Sequence, residues 1–354
     1  MTSTNAAEDL EGEVLPGDWT VVGRIRPRQG DTGGNFSVNY WVEHSSGRRG
    51  FCKVLNYDWL INTGVPGRDP VEALATATRI YQFERDLARE CVGLSRVVTA
   101  LHDGSFHRDG YSIALVSYII FEVAEGDIRR VLNQSVRMDA AVRLRTVHQL
   151  ATGLRQLHQR RVAHQDVKPS NTLVFPPDGN GARVAKVADL GRATVDGRPM
   201  DHDDYTIAGD RSYAPPEGAY DAVPDGFGPR RLACDMYQLG SMLCFVFTAS
   251  SFNAFLFREL HPRQHPVNWL GSFDEVLPYL EDAYGRAIVA IGHDVPEALR
   301  PRVERLLRQL CHPDPHRRGH PKARRGVGNP YALDRIVSEL DLLAHHAELR
   351  FGAA

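Results

Sequence analysis

The spacing of apolar residues changes once along this 354-residue chain, and that change limits what the chain can fold into. From Trp19 to about Val123 the runs WTVVGRI, NFSVNYWV, RGFCKVL and YSIALVSYIIFEV alternate or are β-branched, which predicts strands of an antiparallel sheet. One segment there has helical spacing: Leu74, Ala77, Tyr81, Glu84, Leu87 and Cys91 recur every three or four residues between Pro70 and Cys91. Beyond Glu125 and Gly126 the period becomes helical. Asp139 is placed to N-cap a helix whose stripe of Leu144, Val147, Ala151, Leu154 and Leu157 runs to Gln159. Leu232 to Phe247, Pro296 to Cys311 and Tyr331 to Leu349 read as further helices. The expectation is an α+β chain in two parts, a small antiparallel sheet with one helix followed by a larger, mainly helical body. Residues 1–17, rich in Ala, Thr, Glu and Asp, read as a disordered, solvated N-terminal tail.

A chain of this length buries a large core without needing disulfides or metals. Basic and acidic residues nearly cancel, 42 against 44, for a formal charge of −2. No bulk field therefore recommends nucleic acid or an anionic membrane, and any polyanion bound must be small and local. The most apolar stretches, 113–123 and 242–257, are too short or too interrupted to span a bilayer, and the start lacks a signal-peptide pattern. No membrane insertion and a cytoplasmic location are expected. Five cysteines without CxxC pairing, an odd number, fit free thiols in a reducing compartment. Only four of the 42 basic residues are lysines, Lys53, Lys168, Lys186 and Lys322, and the remaining 38 are arginines. A lysine kept against that bias is a candidate for a task that needs a compact ammonium rather than a planar fork. The same bias suggests a GC-rich bacterial genome.

Directly after the capped helix comes AHQDVKPSNTLVF (163–175), then KVADLGRA (186–193), YAPPE (213–217), DMYQLG (235–240) and DPHRR (314–318). In this order the motifs resemble those of the eukaryotic-type (Hanks-type) serine/threonine protein kinases, over roughly Trp19 to Gly319. The resemblance implies the two-lobed protein kinase fold, with a kinase domain over 18–320 (N-lobe 18–124, C-lobe 125–320) and a C-terminal linker and helix over 321–354. It implies ATP and Mg²⁺ as cofactors, protein substrates as partners, and transfer of the γ-phosphate to Ser or Thr hydroxyls. Lys168, two residues past Asp166, favours Ser/Thr over Tyr. Two rivals from other classes remain: a pseudokinase scaffold that binds nucleotide without turnover, and a small-molecule phosphotransferase.

The resemblance assigns roles residue by residue. Asp166 orients the substrate hydroxyl and accepts its proton, and Lys168 reaches the transferring phosphoryl group. Asn171 and Asp189 supply the oxygen ligands that Mg²⁺ requires. Lys53, at the end of a predicted strand, contacts the α and β phosphates, with Glu84 as its ion-pair partner and Glu90 on the same helix as the alternative. Gly33 and Gly34, with Gly30 and Phe36, stand where a glycine-rich phosphate loop is expected, but Ser37 takes the place of its third glycine. A plain glycine hairpin between two strands is the other reading, and both can hold. Ile25 and Leu173 match the roof and floor of an adenine site, Glu122 and Ala124 the backbone groups that meet the base, and Asp127 a position near the ribose. Glu217 and Arg318 are an expected structural salt bridge. Asp235 braces the catalytic loop from an apolar helix, where an unpaired carboxylate is costly.

Four departures from the family pattern bear on regulation. Gln165 replaces the arginine that holds a phosphorylated activation loop, so activation by loop phosphorylation is not expected; Thr194, Tyr205, Thr206 and Ser212 leave autophosphorylation open but read mainly as exposed hydroxyls. Asp210 stands where a threonine usually touches both the catalytic aspartate and lysine; a carboxylate there pairs with Lys168 but repels Asp166. Leu190 within DLG and Pro216 within APPE leave the required carboxylates in place. Between Phe247 and Pro296 the chain matches the family poorly. His261 and His265 lie there, and the prolines around them argue against a metal site. The stripe Leu333, Ile336, Val337, Leu340 and Leu343 reads as a final helix that packs on the domain rather than binding a partner.

Overall fold

Along Arg49–Leu55 side chains alternate between buried Gly50, Cys52 and Val54 and half-buried Phe51, Lys53 and Leu55. One face of this strand therefore meets a core, and Lys53 belongs to the other face. The computed structural model describes residues 5–26, 37–62, 69–134, 139–177 and 183–351. The chain divides into two compact units, Met1–Glu125 and Gly126–Ala354. In the first, β1 (Val14–Leu15), β2 (Trp19–Ile25), β3 (Ser37–His44), β4 (Arg49–Leu55), β5 (Ala100–His107) and β6 (Leu115–Phe121) form one antiparallel sheet, in the order β1-β2-β3-β4-β6-β5. Lys53 lies opposite Asn39 on one side and Ile119 on the other, so it sits on an interior strand whose register both neighbours fix.

The first unit corrects the sequence reading in three places. The expected disordered tail is ordered from Asn5 onward and covers the sheet face that carries Val21, Tyr40, Cys52 and Val54. Leu10 and Leu15 are fully buried there, the Tyr40 hydroxyl donates to the Ala7 carbonyl at 2.8 Å, and the Asn5 amide donates to Asn56 Oδ1 at 2.8 Å. Two isolated leucines among Glu, Asp and Gly carry no period, which is why the sequence pattern missed them. The single expected helix is joined by a short one, α1 (Tyr57–Asn62), before α2 (Pro70–Glu90). Strand β5 was not anticipated: ALHDGSFH is polar and part-exposed along its length, as an edge strand can be. Gly30, Gly33, Gly34 and Phe36 lie outside the described residues.

The second unit contains β7 (Gly126–Asp127), α3 (Ile128–Gln134), α4 (Ala140–Gln159), β8 (Val162–Ala163), β9 (Thr172–Phe175), β10 (Val184–Val187) and β11 (Thr194–Val195). Helices α5 (Pro216–Ala219), α6 (Ala233–Thr248), α7 (Phe252–Arg258), α8 (Phe273–Gly292), α9 (Arg300–Leu310), α10 (Pro321–Arg325) and α11 (Asp334–Phe351) follow. Asp139 caps α4, accepting from the Ala141 N–H at 3.3 Å. Helix α6 is the centre of this unit, with every residue from Ala233 to Val246 buried. Helix α11 lies on α4, burying Ile336, Leu340, Leu343, Ala344 and Ala347, while Arg145 of α4 pairs with Asp341 and Glu348. Among the described residues no single helix is long and apolar enough to cross a membrane. Among those residues one helix pair, Gly228–Thr248 and Phe252–Arg258, bent by 88°, has that length and composition, and it includes the core helix α6.

Candidate active site

Two short strand pairs bring the candidate residues of the second unit together. Strand β8 pairs with β11, opposing Ala163 to Thr194, and β9 pairs with β10, opposing Thr172 to Val187. The loops 164–171 and 188–193 are therefore held side by side at both ends. The Ala188 N–H donates to the Asn171 carbonyl at 2.9 Å, and His164 Nε2 lies 2.9 Å from the Ala188 carbonyl. Because His164 Nδ1 accepts from the Asp166 N–H at 3.2 Å, its Nε2 carries the proton that goes to Ala188. Asn171 and Asp189 thus arrive at neighbouring positions from adjacent loops.

Asp166 is buried, and both its carboxylate oxygens are engaged. Lys168 Nζ lies 2.9 Å from Oδ2, and Asn171 Nδ2 donates to the same oxygen at 3.0 Å and to the Asp166 carbonyl at 2.9 Å. With its amide hydrogens spent on Asp166, the Asn171 side chain keeps its carbonyl oxygen, a hard donor, as the acceptor, 3.5 Å from the Ser170 hydroxyl. Oδ1 of Asp166 accepts the backbone N–H of Asp210 at 2.9 Å. This corrects the expectation of repulsion: the Asp210 carboxylate caps its own turn, accepting from the Ser212 N–H at 2.8 Å, and Lys168 pairs with Asp166. Asp189 and Gln165 both have left-handed backbone, with φ of 64° and 65°. Such strain costs roughly 1 kcal/mol or more per non-glycine residue and persists where the surroundings fix it.

In the first unit Lys53 Nζ meets Glu84 Oε1 and Oε2 at 2.8 and 3.0 Å. Glu84 is buried on α2 while Glu90 is exposed, which decides between the two candidates for the lysine's partner. Glu122 is tied to Thr99 twice: its N–H donates to the Thr99 carbonyl at 3.1 Å and its Oε1 accepts the Thr99 N–H at 2.8 Å. Ile25 ends β2 and is half-buried, as is Ala124 in the loop after β6. In the second unit Leu173 is half-buried on β9, opposite Asp127 and Lys186. The Asp127 carboxylate is spent on Arg129 and on the N-terminus of α3, not left open for a ribose.

Residues 106–331, well over half the chain, match the family profile described as a protein kinase domain. The chain belongs to the protein kinase family. It is 27% identical over 146 residues to the serine/threonine-protein kinase SBK1 of Danio rerio, covering 41% of this chain and 35% of that protein. It is 33% identical over 102 residues to the serine/threonine-protein kinase DCLK2 of Mus musculus, covering 28% and 13%. It is 30% identical over 213 residues to the CBL-interacting protein kinase 20 of Oryza sativa subsp. japonica, covering 58% and 43%. The chain thus spans about a third or less of the length of the first of these relatives.

Two buried acids brace the second unit of this kinase chain, one of them under the 164–171 loop. The Asp235 carboxylate, wholly buried on α6, accepts from the N–H groups of His164 at 2.7 Å and Gln165 at 2.8 Å and lies 2.9 Å from His158 Nε2. Glu217 and Arg318 form a bidentate pair with both distances 2.6 Å. Burial works against the Arg318 charge, but the Glu217 carboxylate outweighs it and holds the guanidinium above its usual range. Three contributors escaped the sequence reading. Gln238 bonds the loop twice, accepting the Val167 N–H and donating to the Gln165 carbonyl, both at 2.9 Å; its place three residues after Asp235, on the same helix face, was the available signal. Gly209 lies so close to the loop that a Cβ there would stand 2.4 Å from the Gln165 carbonyl and 2.6 Å from Asp166 Oδ1. Arg231, buried, reaches Gln165 from the turn before α6.

Proposed function

We propose that this chain is a serine/threonine protein kinase that transfers the γ-phosphate of ATP to protein hydroxyls, with Asp166 as the proton acceptor. The observation that supports this most directly is the orientation of the Asp166 carboxylate from both sides, by the Asp210 N–H on Oδ1 and by Asn171 and Lys168 on Oδ2. A carboxylate so fixed can hold a substrate hydroxyl and take its proton as the oxygen–phosphorus bond forms. Lys168, beside it, places a compact positive charge where charge develops on the moving phosphoryl group. Lys53, oriented by Glu84, supplies a second compact charge for the non-transferred phosphates.

The Asn171 amide oxygen and the Asp189 carboxylate fit a Mg²⁺ that completes its shell with phosphate and water. Among the described residues no group of three His, Cys, Asp or Glu could cage a metal by itself, so the donor set suits a shared ion rather than a resident one. Bound Mg²⁺ would neutralise phosphate charge and hold the nucleotide's orientation. In the first unit, Ile25, Glu122 and Ala124 are the proposed adenine contacts.

The test is phosphate incorporation from γ-labelled ATP with Mg²⁺, into the chain itself and into casein, comparing wild type with Asp166→Ala. Label on Ser or Thr that vanishes in the variant supports the proposal. A folded wild type that incorporates nothing sinks it and favours a nucleotide-binding pseudokinase; label on small acceptors alone favours a small-molecule phosphotransferase.

A further inference from the structure

We infer that Arg231 is a positioning residue of this kinase: it ties the segment carrying Asp203 to Gln165, and so to the neighbouring Asp166, through a carboxylate the chain itself supplies. The segment is then held without a phosphate. This deepens the proposed kinase reading and rests on it.

Arg231 lies in a wide π-type turn, Gly228–Leu232, that leads into α6, and its side chain is 8% exposed. Its contact with Gln165 is reciprocal. Arg231 Nη1 donates to Gln165 Oε1 at 3.3 Å, and Gln165 Nε2 donates to the Arg231 carbonyl at 2.9 Å. On its other side Nη2 donates to the Asp203 carbonyl at 2.6 Å and meets Asp203 Oδ1 at 3.3 Å. Arg230 adds a second guanidinium on the same carbonyl at 2.7 Å and reaches the Tyr205 carbonyl at 3.4 Å. Asp203 Oδ2 closes its own turn by accepting the Met200 N–H at 2.7 Å. His202, buried beside it, bonds through Nε2 to the Ala193 carbonyl at 2.9 Å, which fastens the same turn to the residue before β11.

A buried guanidinium without a counter-charge is costly, and burial, with the Arg230 guanidinium beside it, lowers the pKa of Arg231 while Asp203 opposes the shift. Asp203 is thus a counter-charge from within the chain, and the neutral Gln165 amide supplies an acceptor without adding a further cation. A phosphate added on Tyr205 or Thr206 would bring up to about two negative charges close in sequence to Asp201, Asp203 and Asp204. The clamp matters for chemistry because the segment runs on to Gly209 and Asp210, whose backbone rests against Gln165 and Asp166. One end of that contact is set by Asp203 and the other by Gln165, and Arg231 holds both.

The experiment uses the full chain treated with a broad-specificity phosphatase until mass spectrometry finds no phosphate, followed by initial rates on casein. Wild type should keep its rate within about twofold, whereas Arg231→Ala should lose about tenfold or more in kcat with KM for ATP little changed, since small displacements near reacting groups cost rates of this order. Arg231→Lys should recover part of the loss. Hydrogen exchange over 194–213 should quicken about tenfold in Arg231→Ala while α4 stays unchanged. If Arg231→Ala fails to fold, Asp203→Asn tests the carboxylate's share alone, with a smaller but measurable loss expected because the Asp203 carbonyl still accepts from Arg231. A wild type that works only when phosphorylated, or a variant with unchanged kcat and exchange, overturns the clamp. A phosphate-free and phosphorylated wild type both inactive on every acceptor overturns the kinase reading instead, and the exchange comparison still decides the clamp.

Discussion

Glu217 and Arg318, in the second unit, meet through two 2.6 Å bonds with side chains 2% and 0% exposed, whereas Lys53 and Glu84, in the first, meet at 2.8 and 3.0 Å with the lysine 29% exposed. The difference lies in how deeply each cation is enclosed. Arg318 also donates to the carbonyls of His312 at 2.7 Å, Pro313 at 3.0 Å and Ala233 at 3.4 Å, and its guanidinium stands 5.0 Å from the centre of the Tyr237 ring. Its fork is used up inside the fold, so the pair holds α5 to the chain before α10 and can do nothing else. Lys53 keeps a point charge near solvent, oriented by a buried acid. The same pairing of acid and base thus serves architecture where both partners are enclosed, and on the proposed reading orients a phosphate-binding cation where one of them is not.

The largest effect that would break this contrast is on Arg318. Replacing it with Ala strands Glu217 in a dry site, which should cost about 3–5 kcal/mol and lower the melting temperature by on the order of 10 °C. Thermal unfolding checks this, and a shift within a degree or two would mean that the pair is not structural. Next comes Lys53→Arg. On the proposed reading turnover should fall by about a hundredfold, because a planar fork cannot repeat the compact contact. Stability should move by less than about 1 kcal/mol, as for other part-exposed pairs. Steady-state kinetics beside a melting curve separates the two. Glu84→Gln is the milder companion, expected to leave melting nearly unchanged and to lower turnover less than Lys53→Arg does.

The two regions also differ in how much of them a sequence shows. Asp166, Lys168 and Asn171 fall within six residues, so their spacing alone nearly sets their geometry, and the fold-level motifs around Asp189, Glu217 and Asp235 are similarly compact. Lys53 and Glu84 are 31 residues apart and meet only because β4 and α2 come together, and their pairing was read from a family resemblance rather than from spacing. What stayed hidden used backbone or shape. The Asp210 residue type predicts repulsion of Asp166, yet its N–H makes the contact, and Gly209 matters for the side chain it lacks. Arg231 was one arginine among 38, with nothing in its sequence neighbourhood to mark it. The ordered segment from Asn5 was equally silent, since Leu10 and Leu15 bury themselves without a period.

The smallest effect sharpens the enclosed side of the comparison through His312, whose carbonyl accepts from Arg318. Burial, with Arg317 and Arg318 adding to it, pushes the His312 imidazole down from 6.5 to about 4. Its Nδ1 accepts the Asp314 N–H at 3.1 Å, a role that requires the neutral ring. The folded pKa lies below the unfolded one, so this group weighs nothing on stability above about 6.5. As pH falls from 6.5 towards 4, the unfolded chain takes up a proton that the folded chain refuses, and stability drops. Denaturant unfolding at pH 7.5 and 5.5 should show wild type losing about 1 kcal/mol more than His312→Asn, once solvent screening around a ring not wholly enclosed is allowed for. Equal losses in both proteins would mean that the imidazole charges freely beside Arg318, and that the surroundings of the buried pair admit more water than its bond distances imply.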